Sequence, residues 1–127
     1  YILMRTDMDS MNPGKAMAQA SHASNAFVSN AEPGYNVDEE LFNAWQESTT
    51  QGFGTVLVLG VTEAQMRTAV QIAESFGVDK FPCEIIHDPT YPLQDGDTTH
   101  FIPVDTCGYI FGDKQDPLLE AIIGKFE

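Results

Sequence analysis

The feature that most constrains the fold is a short apolar run followed at once by a helix start. Residues 54–61, "GTVLVLGV", have the length of a strand, and a continuous apolar run is typical of a strand covered on both faces. Thr62 and Gln65 then form a T-x-x-Q capping box, which predicts a helix that ends at Gly77. A strand that leads directly into a helix is the repeating unit of α/β proteins.

The same alternation extends over the whole chain, so we expect one domain, residues 1–127, with the order β-α-α-β-α-β-β-α. Alternating strands and helices indicate an α/β domain whose sheet is mostly parallel and partly mixed. The remaining predicted elements are a first strand in "YILMRT", a helix over 14–30, a helix in "VDEELFNAWQEST", a third strand in "FPCEIIHD", a long polar loop over 88–106 with a short extra strand near 100–104, a strand in "TCGYIFG", and a last helix capped by Asp116 and Pro117.

The charge of the chain argues against a nucleic-acid partner. The net charge is −13 with only six basic residues, and no Lys or Arg lies between Phe81 and Asp113. A protein that grips a phosphate backbone by charge has the opposite balance. No apolar run is long enough for a membrane span and no signal peptide is visible. Cys83 and Cys107 are therefore expected to be reduced, buried thiols in a cytoplasmic protein.

The first helix separates polar from apolar side chains. At 100° per residue, Lys15, Gln19 and His22 fall within about 60° of one another. The far side is apolar except for one small serine and is expected to be buried; it carries Met17, Ala20, Ser24, Phe27 and Val28. The polar stripe therefore predicts a functional surface that begins at the start of this helix.

Two readings stay open for each polar residue of the stripe. Lys15 is either an ordinary solvated side chain or, with the free amides of the first helical turn, part of an anion or oxyanion site. Gln19 is placed to hydrogen-bond a substrate carbonyl or amide. His22 is either a hydrogen-bonded core residue or a catalytic base.

Strand ends supply the other candidates, since α/β sheets place their sites at the carboxyl ends of strands. Asp88 is either a turn residue before Pro89 or a carboxylate that orients or activates a water. A metal site formed by Asp7, His22 and Asp88 is chemically conceivable, although no spacing supports it.

One stretch carries a resemblance. The pattern "RTDM…M…GKAMAQASHA" resembles the opening of the peptidyl-tRNA hydrolases of archaeal and eukaryotic type, and the likeness extends in outline over nearly the whole chain. The resemblance implies a four-stranded mixed sheet with flanking helices, frequent homodimers, and hydrolysis of the ester between peptide and tRNA without a metal or organic cofactor. The matching residues are Arg5, Thr6, Asp7, Gly14, Lys15, Ala18, Gln19, His22 and Ala23.

The resemblance also assigns site residues. It implies catalytic roles for Lys15, Gln19, His22 and Asp88, where Asp88 with His22 positions water and Lys15 stabilises the oxyanion. The expected substrate-binding residues lie beside them at the two strand ends and the helix start: Thr6, Asp7, Gly14, Thr90 and Tyr91.

The chain departs from the family pattern at three places, and all three make the site region more negative. Pro13 stands where the family has a second Lys, and "DPTYP" at 88–92 replaces D-A-G-R-T. The segment 88–106 is longer than expected and acidic. This charge balance favours an alternative, in which a divergent, non-catalytic member of the fold binds a protein or a small ligand.

Overall fold

The computed structural model describes all 127 residues and confirms the predicted order of elements. The strands and helices are β1 Ile2–Arg5, α1 Pro13–Asn30, α2 Glu39–Gln46, β2 Val58–Val61, α3 Glu63–Ser75, β3 Cys83–Asp95, β4 Thr98–Ile110 and α4 Pro117–Ile123, followed by a 3₁₀ turn at Gly124–Phe126. No helix combines the length and the apolar character that crossing a membrane requires.

The helices begin at the capping residues that the sequence marks. The side chain of Asn12 accepts the Lys15 N–H at 2.9 Å at the start of α1. Thr62 and Gln65 form both bonds of the predicted capping box before α3, and the Asp116 side chain caps α4. These local bonds satisfy amides that have no partner within the helix, so the caps fix where each helix starts.

The sheet is mixed, as predicted, but it is not mostly parallel. Its strand order is β2-β1-β4-β3. Only β1 and β2 run parallel, whereas β4 is antiparallel to both β1 and β3. The expectation of a mostly parallel sheet is wrong because β3 returns directly as β4 through a tight turn instead of through a helix.

That return also overturns the predicted long loop over 88–106, which is a β-hairpin. Asp95 pairs with Thr98, and Gly96 between them has a φ of 60°, a conformation that suits glycine in hairpin turns. Pro89 and Pro92 are tolerated because β3 is an edge strand. Beyond the end of β1 the hairpin projects as a two-stranded arm.

The run predicted to be covered on both faces is instead an edge strand. Only its last four residues, β2, belong to the sheet, and β2 has a single neighbour, β1. Val56 and Val58 expose 43% and 51% of their surface. The apolar run predicted burial on both faces wrongly, because buried central strands and partly exposed edge strands have the same β-branched composition.

Two apolar clusters cover the two faces of the sheet. Alternate residues of β1 point to opposite faces: Leu3 joins the cluster under α3 and α4, and Ile2 and Met4 join the cluster under α1 and α2. In that second cluster Phe27 packs against the ring of Phe42, with centroids 5.7 Å apart. The sheet is therefore the middle layer of three, with its edges left free.

The buried side of α1 differs in part from the predicted one. Phe27 is buried as predicted, but Met17 and Val28 are exposed at 68% and 40%, and the buried side includes Gln19 and Ala23 instead. The helix turns its Gln19 side to the sheet because small alanines allow close approach there and because the amide of Gln19 finds partners inside. Both cysteines are free, and only Cys107 is buried; Cys83 is half-buried.

Candidate active site

Polar side chains gather at one end of the sheet, where β1 and β2 finish and α1 and α3 begin; this is called the polar end below. β3 runs in the same direction as β1, so the middle of β3 reaches the same end. Asp88 lies there, in the middle of β3 and not at its end as predicted. The paired residues on β4 are those just before Thr106.

Two β-bulges decide which side chains face α1. At the first, Ile86 pairs with Cys107 but His87 pairs with Asp105, which leaves Thr106 as the extra residue. Thr106 and Cys107 then both contact Gln19 on α1, although simple alternation would separate them.

The second bulge, at Pro89 and Thr90, acts in the same way on β3. Asp88 and Tyr91 are three residues apart, so regular alternation would place them on opposite faces. Instead Asp88 contacts α1, and the ring of Tyr91 lies below Lys15 of the same helix. The α1 side of the polar end is therefore built by two irregularities of the hairpin.

Gln19 is the centre of this group. It is 3% exposed, its Nε2 donates to Asp88 Oδ2 at 2.7 Å, and its Oε1 accepts from the Thr106 hydroxyl at 2.7 Å. An ionised carboxylate only accepts hydrogen bonds, so the amide nitrogen must face Asp88 and the hydroxyl of Thr106 must donate. Thr106 thereby fixes the orientation in which Gln19 supports Asp88.

Asp88 is held ionised by neutral donors. Burial opposes its ionisation, but the hydrogen bonds from Gln19 and Thr90, together with the nearby imidazole of His22, outweigh burial and lower its pKa below the ordinary value. The Thr90 N–H donates to Oδ1 at 2.9 Å. The Thr90 hydroxyl also donates to Oδ1, at 3.4 Å. No Lys or Arg forms an ion pair with Asp88, and Oδ2, which accepts only from Gln19, keeps a lone pair for a water or a substrate group.

Lys15 lies over the base of the hairpin. Its Nζ donates to the carbonyl oxygens of Pro92, at 2.8 Å, and Ser10, at 3.2 Å, and lies 5.1 Å from the centre of the Tyr91 ring. An ammonium has three donors, so one N–H remains for a ligand. The amides of the first turn contribute less than predicted, because Pro13 has no N–H and the Lys15 N–H is already bonded to the helix cap.

The other candidates occupy different positions. His22 is exposed and close enough to Asp88 to lower the pKa of that carboxyl, so it is not a buried core histidine. Gly14 is exposed at the start of α1, and Thr90 is exposed beside Asp88. Tyr91 is only 1% exposed and its hydroxyl bonds to Ser10, so it supports the site from below.

Thr6 and Asp7 belong to the other side of the polar end, beside α3. The Thr6 hydroxyl donates to the Val61 carbonyl at 3.3 Å. Asp7 accepts from Arg5 at 2.9 Å and from the first amide of α3, that of Glu63, at 3.0 Å. These bonds lower the pKa of Asp7, with the Arg5 bond contributing most.

A charged network continues from there. Arg67 donates to Asp105 Oδ2 at 2.7 Å, and His87 Nδ1 lies 2.7 Å from Asp105 Oδ1. Arg67 and, to a lesser extent, His87 hold the pKa of Asp105 below its ordinary value. Both Arg5 and Arg67 also pair with Glu63. Each of the three carboxylates on this side, Asp7, Glu63 and Asp105, is therefore paired with at least one of the two guanidinium groups.

The polar end is an open surface, not a cavity. The largest groove, of about 910 Å³, lies elsewhere, between α2 and the residues around Lys80 and Asp116. No three His, Cys, Asp or Glu side chains converge as a metal ion would require. The alternative of a metal site at Asp7, His22 and Asp88 therefore gains no support from the geometry.

Sequence reasoning missed two parts of this end: Thr106, and the ion-pair chain Arg67–Asp105–His87. Thr106 is completely buried, and a polar residue before a strand-like "CGYIFG" is a weak signal by itself. Its contact with Gln19 joins residues 87 positions apart, which neither spacing nor periodicity predicts.

The polar end of this small α/β domain therefore brings together a carboxylate, an amide and an ammonium beside an open surface. A comparison with protein families matches residues 1–123 to the family described as peptidyl-tRNA hydrolase PTH2, and the chain belongs to that family. It is therefore a peptidyl-tRNA hydrolase-like enzyme, an aminoacyl-ester hydrolase. A comparison with curated proteins finds no match.

Proposed function

We propose that Asp88, Gln19, Lys15 and His22 carry out the hydrolysis of the peptidyl-tRNA ester at the α1 side of the polar end. The observation that carries the proposal is the buried chain of hydrogen bonds from Thr106 through Gln19 to Asp88. This chain of hydrogen bonds requires that an amide and a hydroxyl be buried, which is unfavourable unless both are fully bonded. Its effect is to orient one ionised carboxylate toward an open surface.

In this proposal Asp88 orients the attacking water and His22 accepts its proton. A carboxyl with a lowered pKa is a weak base at neutral pH, but it is always ionised and accepts a hydrogen bond from water. An imidazole is the more suitable proton acceptor near neutral pH. The water oxygen bonds to the ester carbonyl carbon, and the proton passes through His22 to the departing ribose oxygen.

Lys15 stabilises the negative charge that develops on the carbonyl oxygen. Its third N–H is the available donor, and the bonds to Pro92 and Ser10 hold the ammonium in place. A fixed donor costs no reorganisation during the reaction, which is why such groups contribute strongly to rate. Gly14 and Thr90 are the neighbouring groups proposed to contact the substrate, and Tyr91 supports them from below through its bond to Ser10. Thr6 and Asp7 lie on the α3 side and take no part in this step.

The direct test is incubation of the protein with peptidyl-tRNA at low salt and measurement of free tRNA, beside Lys15→Ala. We expect release by the parent and a strong loss in the variant. If the parent binds peptidyl-tRNA without cleaving it, the catalytic assignment is wrong.

We also propose that the chain acts in the cytoplasm, where peptidyl-tRNA arises, as a homodimer formed through β2. The exposed edge carries Val56, Val58 and Phe53, with Phe53 54% exposed, and a free strand edge is a ready pairing surface. Because each copy has a charge of −13, salt should strengthen the association. Sedimentation should give a dimer that Val58→Lys dissociates; a monomeric parent would refute this.

A further inference from the structure

The hairpin arm presents an outer face, which points away from α1. Along β4, Phe101, Pro103 and Asp105 share this face by alternation, and Phe101 pairs with Pro92 while Asp105 pairs with His87. Phe101 is 65% exposed and the His87 side chain is 59% exposed. The two exposed rings therefore lie on one strip, about 13 Å apart along the strand at the usual rise per residue.

His87 is held in a defined orientation on this strip. Its Nδ1 is bonded to Asp105, which is itself bonded to Arg67, so its Nε2 is directed away from Asp105. Behind Asp105, Glu63 of α3 and Arg5 of β1 complete the charged surroundings. Three carboxylates, those of Asp7, Glu63 and Asp105, share two guanidinium groups here. A protonated His87 would bring this cluster to neutrality, with its Nε2–H directed outward.

The permanent cations of the chain are poorly placed to hold RNA at the polar end. Arg5, Arg67 and Lys80 are each bonded to carboxylates. Lys15 is bonded to two carbonyl oxygens. Lys114 lies beside Tyr1, at the opposite end of the sheet. An RNA strand at this end must therefore be held by something other than a row of Lys and Arg.

We propose that the outer face of the hairpin binds the single-stranded end of the RNA, with a base stacked on Phe101 and a phosphate bonded to the protonated His87. The inference rests on the proposed function, because hydrolysis of the ester brings the RNA end to the polar end of the sheet, from which the hairpin projects. Stacking of bases on aromatic rings is a way of binding single-stranded nucleic acid that does not need a basic surface. The imidazolium adds a charge that depends on pH.

The test measures binding of deacylated tRNA by fluorescence anisotropy at low salt, at pH about 6 and about 8, values that span the imidazole titration. Phe101→Ala should weaken binding roughly five- to 150-fold, the range for loss of one stacked base, while Phe101→Tyr should retain it. His87→Gln should abolish the gain in affinity between the higher and the lower pH, and should lower the log–log salt slope at the lower pH by about 0.7.

Matched controls are available on the same chain. Tyr35→Ala removes another exposed aromatic ring, 79% exposed, outside the hairpin. His100→Gln removes an imidazole of similar exposure, 52%, from the opposite face of the same hairpin. Both should bind tRNA as the parent does. Equal losses in the controls, or parental binding by Phe101→Ala and His87→Gln, would overturn the proposal.

A short substrate separates this inference from the proposed function. The parent and Phe101→Ala should cleave an N-acylaminoacyl ester of adenosine at the same rate, because the chemistry lies on the α1 side. If neither protein cleaves the short ester or peptidyl-tRNA, the proposed function fails and the inference falls with it. If both cleave both substrates equally, only the inference is wrong.

Discussion

The two sides of the polar end hold their carboxylates in opposite ways. On the α3 side, Asp105 accepts from Arg67 and His87, so each oxygen has a charged or chargeable partner. On the α1 side, Asp88 accepts from an amide and from Thr90. Both carboxyls have a lowered pKa, but only Asp88 is ionised without being neutralised.

We propose that this difference separates a structural carboxylate, Asp105, from a reactive one, Asp88. A carboxylate paired with a guanidinium has its charge compensated and its oxygens occupied. A carboxylate held by neutral donors keeps its charge and part of its hydrogen-bonding capacity, which is what a water-orienting group requires. The cations follow the same division, since Lys15 bonds to carbonyl oxygens whereas Arg5 and Arg67, beside α3, bond to carboxylates.

The largest effect should come from removing the uncompensated cation. We expect Lys15→Met to lower kcat about 10²- to 10³-fold, the usual cost of losing one oxyanion donor. The Met side chain still packs over Tyr91, so thermal unfolding should change little. Arg67→Met is the matched variant beside α3, and its kcat on a short ester should stay close to that of the parent. Equal losses of kcat in both variants would remove the distinction between the two sides.

The next effect should appear when the buried hydrogen-bond chain is cut. Gln19→Leu leaves Thr106 and one oxygen of Asp88 without their partner, so we expect a loss of about 1–3 kcal/mol in the free energy of unfolding. Because the Gln19 bond lowers the pKa of Asp88, that pKa should rise in the variant. The acid limb of the pH–rate profile should then move to higher pH.

Thr106→Val tests the same chain from its other end. It keeps the shape of the side chain but removes the hydroxyl that orients the amide, so it should shift the acid limb in the same direction by a smaller amount. An unchanged profile in both variants would show that Gln19 and Thr106 serve packing alone.

Much of the fold could be predicted from local signals, because caps and periodicity act within a few residues. The start of α1 and the capping box of α3 are examples. The hairpin was missed because Asp88-Pro89 and Tyr91-Pro92 resemble a loop, although "DGD" at 95–97 is a usable hairpin signal. The two bulges, which aim Asp88, depend on pairing between strands and leave no local trace.

The site was predicted in part for the same reason. Lys15, Gln19 and His22 lie on one helix, so their spacing in the sequence is enough to predict that their side chains lie close together. Their partners Asp88 and Thr106 come from β3 and β4, and the bonds that orient Gln19 depend on the packing of α1 against the sheet. The resemblance to the family pointed to Asp88 as a site residue. The neutral groups that donate hydrogen bonds to Asp88 could be identified only from the structure.

Low pH should destabilise the fold by protonating Asp105, which lies on the α3 side. The pKa of Asp105 lies below its ordinary value of 3.8 in the folded state. A group with a depressed pKa stabilises the fold above its unfolded pKa, and that contribution is lost as the pH falls through the folded value. Asp105→Asn should therefore flatten the fall in melting temperature below pH 3.8. A parallel fall in parent and variant would contradict this pairing.

The smallest effect concerns the tip of the hairpin. Asp95 and Asp97 add two negative charges beside the proposed RNA face, so replacing both with Asn should strengthen tRNA binding slightly. The parent should show a weak affinity with a log–log salt slope of roughly two to three, since few cations are free. Titrations of tRNA binding at several salt concentrations measure the affinity and the slope for both proteins. Tight binding that does not depend on salt would contradict the expectation that few cations contact the RNA.

The central claim is that Asp88, and not Asp105, is the reactive carboxylate. The direct measurement compares Asp88→Asn and Asp105→Asn in the hydrolysis of a short N-acylaminoacyl ester and in thermal unfolding. Asp88→Asn should lose about 10²- to 10⁴-fold in rate, the range for a group that handles the reacting proton or water, while still melting cooperatively. Asp105→Asn should keep its rate and melt at a lower temperature at neutral pH. Equal rates in the two variants, or the greater loss of rate in Asp105→Asn, would contradict the account.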